Sequence, residues 1–108
     1  MITDCRTDEG TVVLVCGELD VATAPLLNEH LLGLIGAGHH VVLDLASVEF
    51  MDSSGLEVLV TCYSRAELFG SGLVLRRPSY RVRRLLELTG LTSYFGIEGQ
   101  GPPVPRPR

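Results

Sequence analysis

Apolar residues follow two different periods along this chain. From Thr11 to Gly17 the string TVVLVCG is an apolar run of strand length, and Ile2 to Arg6 is placed to pair with it through a turn at Asp8, Glu9 and Gly10. A hairpin therefore opens the chain. Leu27, Leu31, Leu34 and Ile35 then recur at helical spacing, with Thr23 as the expected N-cap, Pro25 in the first turn and glycines at 33, 36 and 38 to close the helix. VVLDL at Val41–Leu45 reads as a strand buried on both faces, the mark of a central position with helices on either side.

Leu56, Leu59, Val60, Tyr63 and Ala66 form the apolar stripe of a second helix ending near Gly70, opposite a polar row of Glu57, Thr61, Ser64 and Arg65. Val58, Cys62 and Phe69 border that row, either as contacts for a partner or, on the plainer reading for Val58 and Phe69, as core residues. Leu73–Leu75 makes a short strand. Val82, Leu85, Leu86 and Thr89 mark a third helix stopped by Gly90, and Tyr94–Ile97 adds an edge strand. The order β-β-α-β-α-β-α-β predicts an α/β fold: a mixed β-sheet opened by a hairpin and covered by amphipathic helices, with residues 1–98 as one domain. The segment GQGPPVPRPR carries four prolines and neither period, so residues 99–108 are expected to be a disordered tail.

Composition narrows the function. A formal net charge of −4 gives no global basis for gripping nucleic acid. No apolar segment reaches the roughly 18 residues of a bilayer span and no basic-then-apolar leader opens the chain, so a cytosolic protein without membrane contact is expected. Arg76, Arg77, Arg81, Arg83 and Arg84 crowd nine positions, as a docking patch for an acidic partner or, on the plainer reading, as a solvated helix face with its entry loop. All nine cationic residues are arginine, which removes lysine-dependent chemistry. Cys5, Cys16 and Cys62 lack paired spacing and read as reduced core cysteines; His30, His39 and His40 lack metal-ligand spacing.

Candidate chemistry concentrates in FMDSSGL, residues 50–56, between the central strand and the second helix. Ser54 and Glu57 fit the S-x-x-E capping box, which leaves Ser53 without a structural task. A phosphate on Ser53 would face the positive end of a helix and its unsatisfied N–H groups, so modification is tolerable to the fold. A hydrolase elbow is disfavoured because Met51 stands where its first glycine belongs and no histidine follows position 40. A receiver-type phosphoacceptor at Asp44 or Asp52, with Glu18 and Asp20 as its acidic pair, lacks the required lysine.

Three stretches, GELDVATAPLL at 17–27, VVLDLASVEFMDSSGLEVLV at 41–60 and RVRRLLELTGL at 81–91, together resemble the anti-sigma factor antagonist family of the STAS fold. The resemblance implies partner switching without catalysis or cofactor. Ser53 corresponds to the serine phosphorylated by an anti-sigma factor that is also a serine kinase of the histidine-kinase-like ATPase superfamily, and a serine phosphatase resets it. The unphosphorylated antagonist binds that kinase and frees a sigma factor; the phosphorylated form lets go. Glu18, Asp20, Asp52, Ser53, Ser54, Gly55 and Glu57 map to the partner-binding face. A scaffolding STAS module without phosphorylation is the alternative. Two departures stand out: Glu57 replaces a small residue, either to complete a cap or to alter partner choice, and the Pro-rich tail replaces a terminal helix, implying a thinner cover on the sheet.

Overall fold

The computed structural model describes residues 1–8 and 10–99. Apart from Gly99, the expected tail lies outside the described residues. The strands are β1 (Ile2–Thr7), β2 (Gly10–Leu19), β3 (Val41–Met51), β4 (Leu73–Arg76) and β5 (Gly96–Glu98), and the helices α1 (Ala24–Gly36), α2 (Ser53–Leu68) and α3 (Tyr80–Thr89). They form one five-stranded sheet in sequential order, with β1 antiparallel to β2 and every other pair parallel. The predicted element order and mixed sheet are both found.

Register explains why these residues form the core. Val13, Leu43, Leu75 and Ile97 stand side by side across four strands. The first three are fully buried, in one cluster with Leu27, Leu31 and Ile35 of α1 and Leu59, Cys62 and Ala66 of α2. Burying such side chains contributes roughly 1.5–3 kcal/mol each before entropy is counted. α1 packs against α2, so both lie on one face of the sheet.

β3 runs six residues beyond the expected Leu45, to Met51, and over that extension it pairs with β2 alone. The space left by the shorter β4 is taken by α3, which packs on β3 while the Ser79 N–H donates to Leu45 O at 3.2 Å. Ser79 caps α3 and Gly90, at φ 74°, ends it in the left-handed conformation. Tyr94 falls outside the edge strand; its ring and that of Phe95 pack on Tyr63, covering the flank of α2.

Three expectations need correction. Cys5 and Cys16 are exposed, since alternation along β1 and β2 turns them away from the helices, and among the three thiols only Cys62 is a core residue. Phe69 is 59% exposed: it is the C-cap of α2, so the chain leaves the buried stripe there. Thr23 occupies the N-cap position of α1 without a capping bond from its side chain, for a reason that lies at the site below.

The arginine cluster is mostly consumed locally. Arg76 pairs with Glu98, Arg84 with Glu87, and Arg83 donates to Pro78 O at 3.0 Å. Arg77 reaches Asp44, whose carboxylate is buried on the sheet face opposite α1 and α2, at 2.9 Å from Nη2 and 3.3 Å from Nε. Removing the guanidinium strands a buried charge. Arg77→Ala should therefore cost about 2 kcal/mol or more, below the full cost for an enclosed pair because Arg77 reaches water. Asp44→Asn, which removes the charge itself, should cost less; thermal melts of the two variants check the order.

Candidate functional site

The junction is built by strand pairing. Leu19 pairs with Met51 at the ends of β2 and β3, and the Asp52 N–H donates to Leu19 O at 3.2 Å. This fixes where the chain leaves the sheet. Asp52 is extended (φ −111°, ψ −168°) and its Oδ1 accepts from the Ser54 N–H at 2.8 Å, so Asp52 is the N-cap of α2. Ser53 is then the first helical residue and is exposed; Ser54 is the second.

The expected capping box of Ser54 and Glu57 is therefore not formed. Asp52, two residues earlier, already holds the orphan N–H, and Ser54 lies too far inside the helix to act as a cap. Glu57 consequently has no capping task and projects as an exposed carboxylate.

Gly55 is buried where α2 starts against β2. A Cβ there would lie 2.8 Å from Met51 Cγ, 3.0 Å from Leu19 Cβ and 3.1 Å from Leu19 O. Glycine is required by close approach, here with an ordinary helical backbone.

Glu18 and Leu19 belong to β2, not to a loop, and pair with Phe50 and Met51. Asp20 begins the turn into α1. Its Oδ1 accepts from the N–H groups of Ala22 and Thr23 at 3.0 and 3.1 Å, while the Thr23 hydroxyl accepts from the Asp20 N–H and directs its proton at Glu18 O, 2.7 Å away. Asp20 thus takes over the capping task, and the Thr23 side chain ties the turn back to β2. The backbone N–H of Thr23 above all, then Ala22, hold the Asp20 carboxyl below its ordinary value of 3.8 against the cost of desolvation. A depressed folded pKa gives stability that is present above the unfolded pKa and lost as pH falls through the folded one. Asp20→Asn should flatten the acid limb of the stability curve below pH 3.8 in melts recorded against pH.

Between α1 and α2 lies a cleft of about 440 Å3. Val21, Ala24, Pro25 and Asn28 form one wall, and Ser54, Glu57, Val58 and Thr61 the other. Asn28 is held from beneath: its Oδ1 accepts from the Cys62 thiol at 3.6 Å. Burial pushes that thiol up to about 11, with Arg65 opposing weakly. Alkylation of the folded protein should therefore label Cys5 and Cys16 quickly and leave Cys62 unmodified until unfolding.

Asp52, Ser53, Ser54, Gly55 and Glu57 are thus gathered in the first turns of α2, with Glu18 and Asp20 at the adjoining strand end and outside the cleft lining. Val58 is core by burial and yet lines the cleft. The α1 wall carried no sequence signal of its own, because only the packing of two helices creates it. His39 and His40 precede β3 and Asp52 follows it, so the whole strand, about 33 Å from Val41 to Met51, lies between them. His30 pairs with Asp4 at 2.7 Å. Among the described residues no group of three or more His, Cys, Asp or Glu is placed to hold a metal, and no helix is long and apolar enough to cross a membrane.

A parallel sheet with one antiparallel edge, displaying a serine at the start of α2, defines the class. The STAS domain model matches residues 2–100, and the chain belongs to the STAS domain family. It is similar to the anti-sigma-B factor antagonist of Bacillus subtilis (strain 168), 35% identical over 98 residues that cover 90% of each chain. The anti-sigma-B factor antagonist of Listeria monocytogenes is 38% identical over 87 residues, 80% of this chain and 76% of that one. The crystal structure of an anti-sigma factor antagonist from Mycobacterium paratuberculosis superposes with a TM-score of 0.81 at 30% identity, covering 91% of this chain and 84% of the other.

Proposed function

We propose that this protein is an anti-sigma factor antagonist that works by switching partners. Unphosphorylated, it binds an anti-sigma factor and so releases a sigma factor. The anti-sigma factor is itself a serine kinase of the histidine-kinase-like ATPase class; it phosphorylates Ser53 and thereby breaks the complex, and a serine phosphatase restores the binding form. The protein acts in the cytoplasm, catalyses nothing itself and needs no cofactor.

The observation that carries this reading is the exposed Ser53 hydroxyl at the first position of α2, beside a cap supplied by a different residue. Ser53 is free of structural duty, and its phosphate, carrying about −1.5 to −2 charges, would be tolerated at the helix start while changing the surface strongly. Covering that dianion in an interface costs desolvation and sets it beside Asp52 and Glu57. Two or three kcal/mol of such cost lowers affinity about thirtyfold to more than a hundredfold.

Intact-mass and peptide-map analysis of the protein from its own cells, in growth and under stress, tests the reading. One phosphate on Ser53 whose occupancy changes between conditions is expected. A chain never phosphorylated, or phosphorylated elsewhere, overturns it.

A further inference from the structure

The cleft between α1 and α2 carries a charge that pairs with nothing among the described residues. Among the described residues Glu57 is the one charged group in its lining, the walls around it are apolar or neutral, and the next cation along α2, Arg65, stands eight residues on, about 12 Å away. Asp52 and Glu57 flank the helix start, and Asp20 adds an ionised carboxylate at the adjoining turn. The cleft is concave, carries one carboxylate and adjoins Ser53 through Ser54.

We infer that this cleft receives an arginine or lysine side chain projecting from the anti-sigma kinase, with Glu57 as its counter-ion. The inference rests on the reading of Ser53 as the switch and names what the partner must present. The aliphatic stem of the cation lies along Val21 at the open mouth of the cleft, and its head pairs with the exposed Glu57 carboxylate, which the docked partner then covers. A single cation balances the single carboxylate of the unphosphorylated cleft. Phosphorylation one helical turn upstream, at i−4 from Glu57, adds about two further charges, which one cation attracts but does not neutralise, so release of the phosphorylated form rests on the desolvation of that excess charge and not on this pairing. Partners with a neutral or acidic residue at that point would be rejected by the bare carboxylate.

The test uses the kinase purified on its ability to phosphorylate Ser53, titrated with the full chain. Glu57 is exposed and outside the cap, so its variants are expected to melt like the parent. Glu57→Gln should weaken binding about tenfold and Glu57→Arg about a hundredfold, and replacing the partner's cation by glutamate should restore Glu57→Arg. If Glu57→Arg binds like the parent while Ser53→Asp is released, the cleft is not a cation site and the switch stands. A loss in Glu57→Arg without any loss in Glu57→Gln also overturns the inference, because it marks a steric clash. If Ser53→Asp binds as tightly as the parent, the switch itself falls and the inference with it.

Discussion

Ser53→Asp should bind the anti-sigma kinase about a hundredfold more weakly than the parent chain, while Ser53→Ala keeps parental affinity and can no longer be switched off. The asymmetry follows from the cap. Ser53 lends no side chain to the start of α2, because the Asp52 carboxylate holds the Ser54 N–H at 2.8 Å. Alanine therefore removes only an exposed hydroxyl. Aspartate leaves the helix intact, since an acid near a helix N-terminus is favourable by about 0.3–1 kcal/mol, but it places a third carboxylate among Asp52 and Glu57 in a surface that must be covered. Stability and binding should thus move apart: an unchanged or slightly raised melting temperature with lost affinity. Titration of both variants against the kinase, with a melt of each, separates this from simple unfolding.

Gly55→Val should act in the opposite sense, through the fold first. Even a methyl group meets Met51 Cγ at 2.8 Å and Leu19 O at 3.1 Å. The methionine side chain can bend aside, but the Leu19 carbonyl is fixed by accepting from the Asp52 N–H. Helix α2 must lift from β2, and Ser53 moves with it. Overpacking of this kind costs about 1–3 kcal/mol, against less than about 1 kcal/mol gained from leaving glycine in a helix. Gly55→Ala should therefore lower the melting temperature by several degrees, and Gly55→Val by more, with slower phosphorylation of Ser53 in both. A rise in melting temperature for Gly55→Ala would contradict the close approach.

Much of this was legible in the sequence because the two apolar periods are clean. The Val41–Leu45 run, the Leu56–Ala66 stripe and the Gly90 stop each appear in the structure where the pattern puts them. What failed was local competition between residues of the same type. Asp52 and Ser54 are both good caps, and the string alone matches the serine box; the choice is made by β3 running on to Met51, which sets the exit of the chain by pairing with Leu19. Thr23 lost to Asp20 in the same way. Phe69 continues the helical spacing of Ala66, yet the helix ends at Leu68 and the ring is left in water. The cleft was invisible because its walls come from two helices that only the tertiary fold brings together.

In the proposed switch, antagonism by this protein is controlled by one serine, Ser53. A displacement measurement tests it most directly: the sigma factor held by its anti-sigma kinase, challenged with this protein in unphosphorylated form and in a form stoichiometrically phosphorylated at Ser53. The prediction is release of the sigma factor by the first and none by the second at the same concentration. Equal release by both forms, or release by neither while the unphosphorylated chain still binds the kinase, would contradict it.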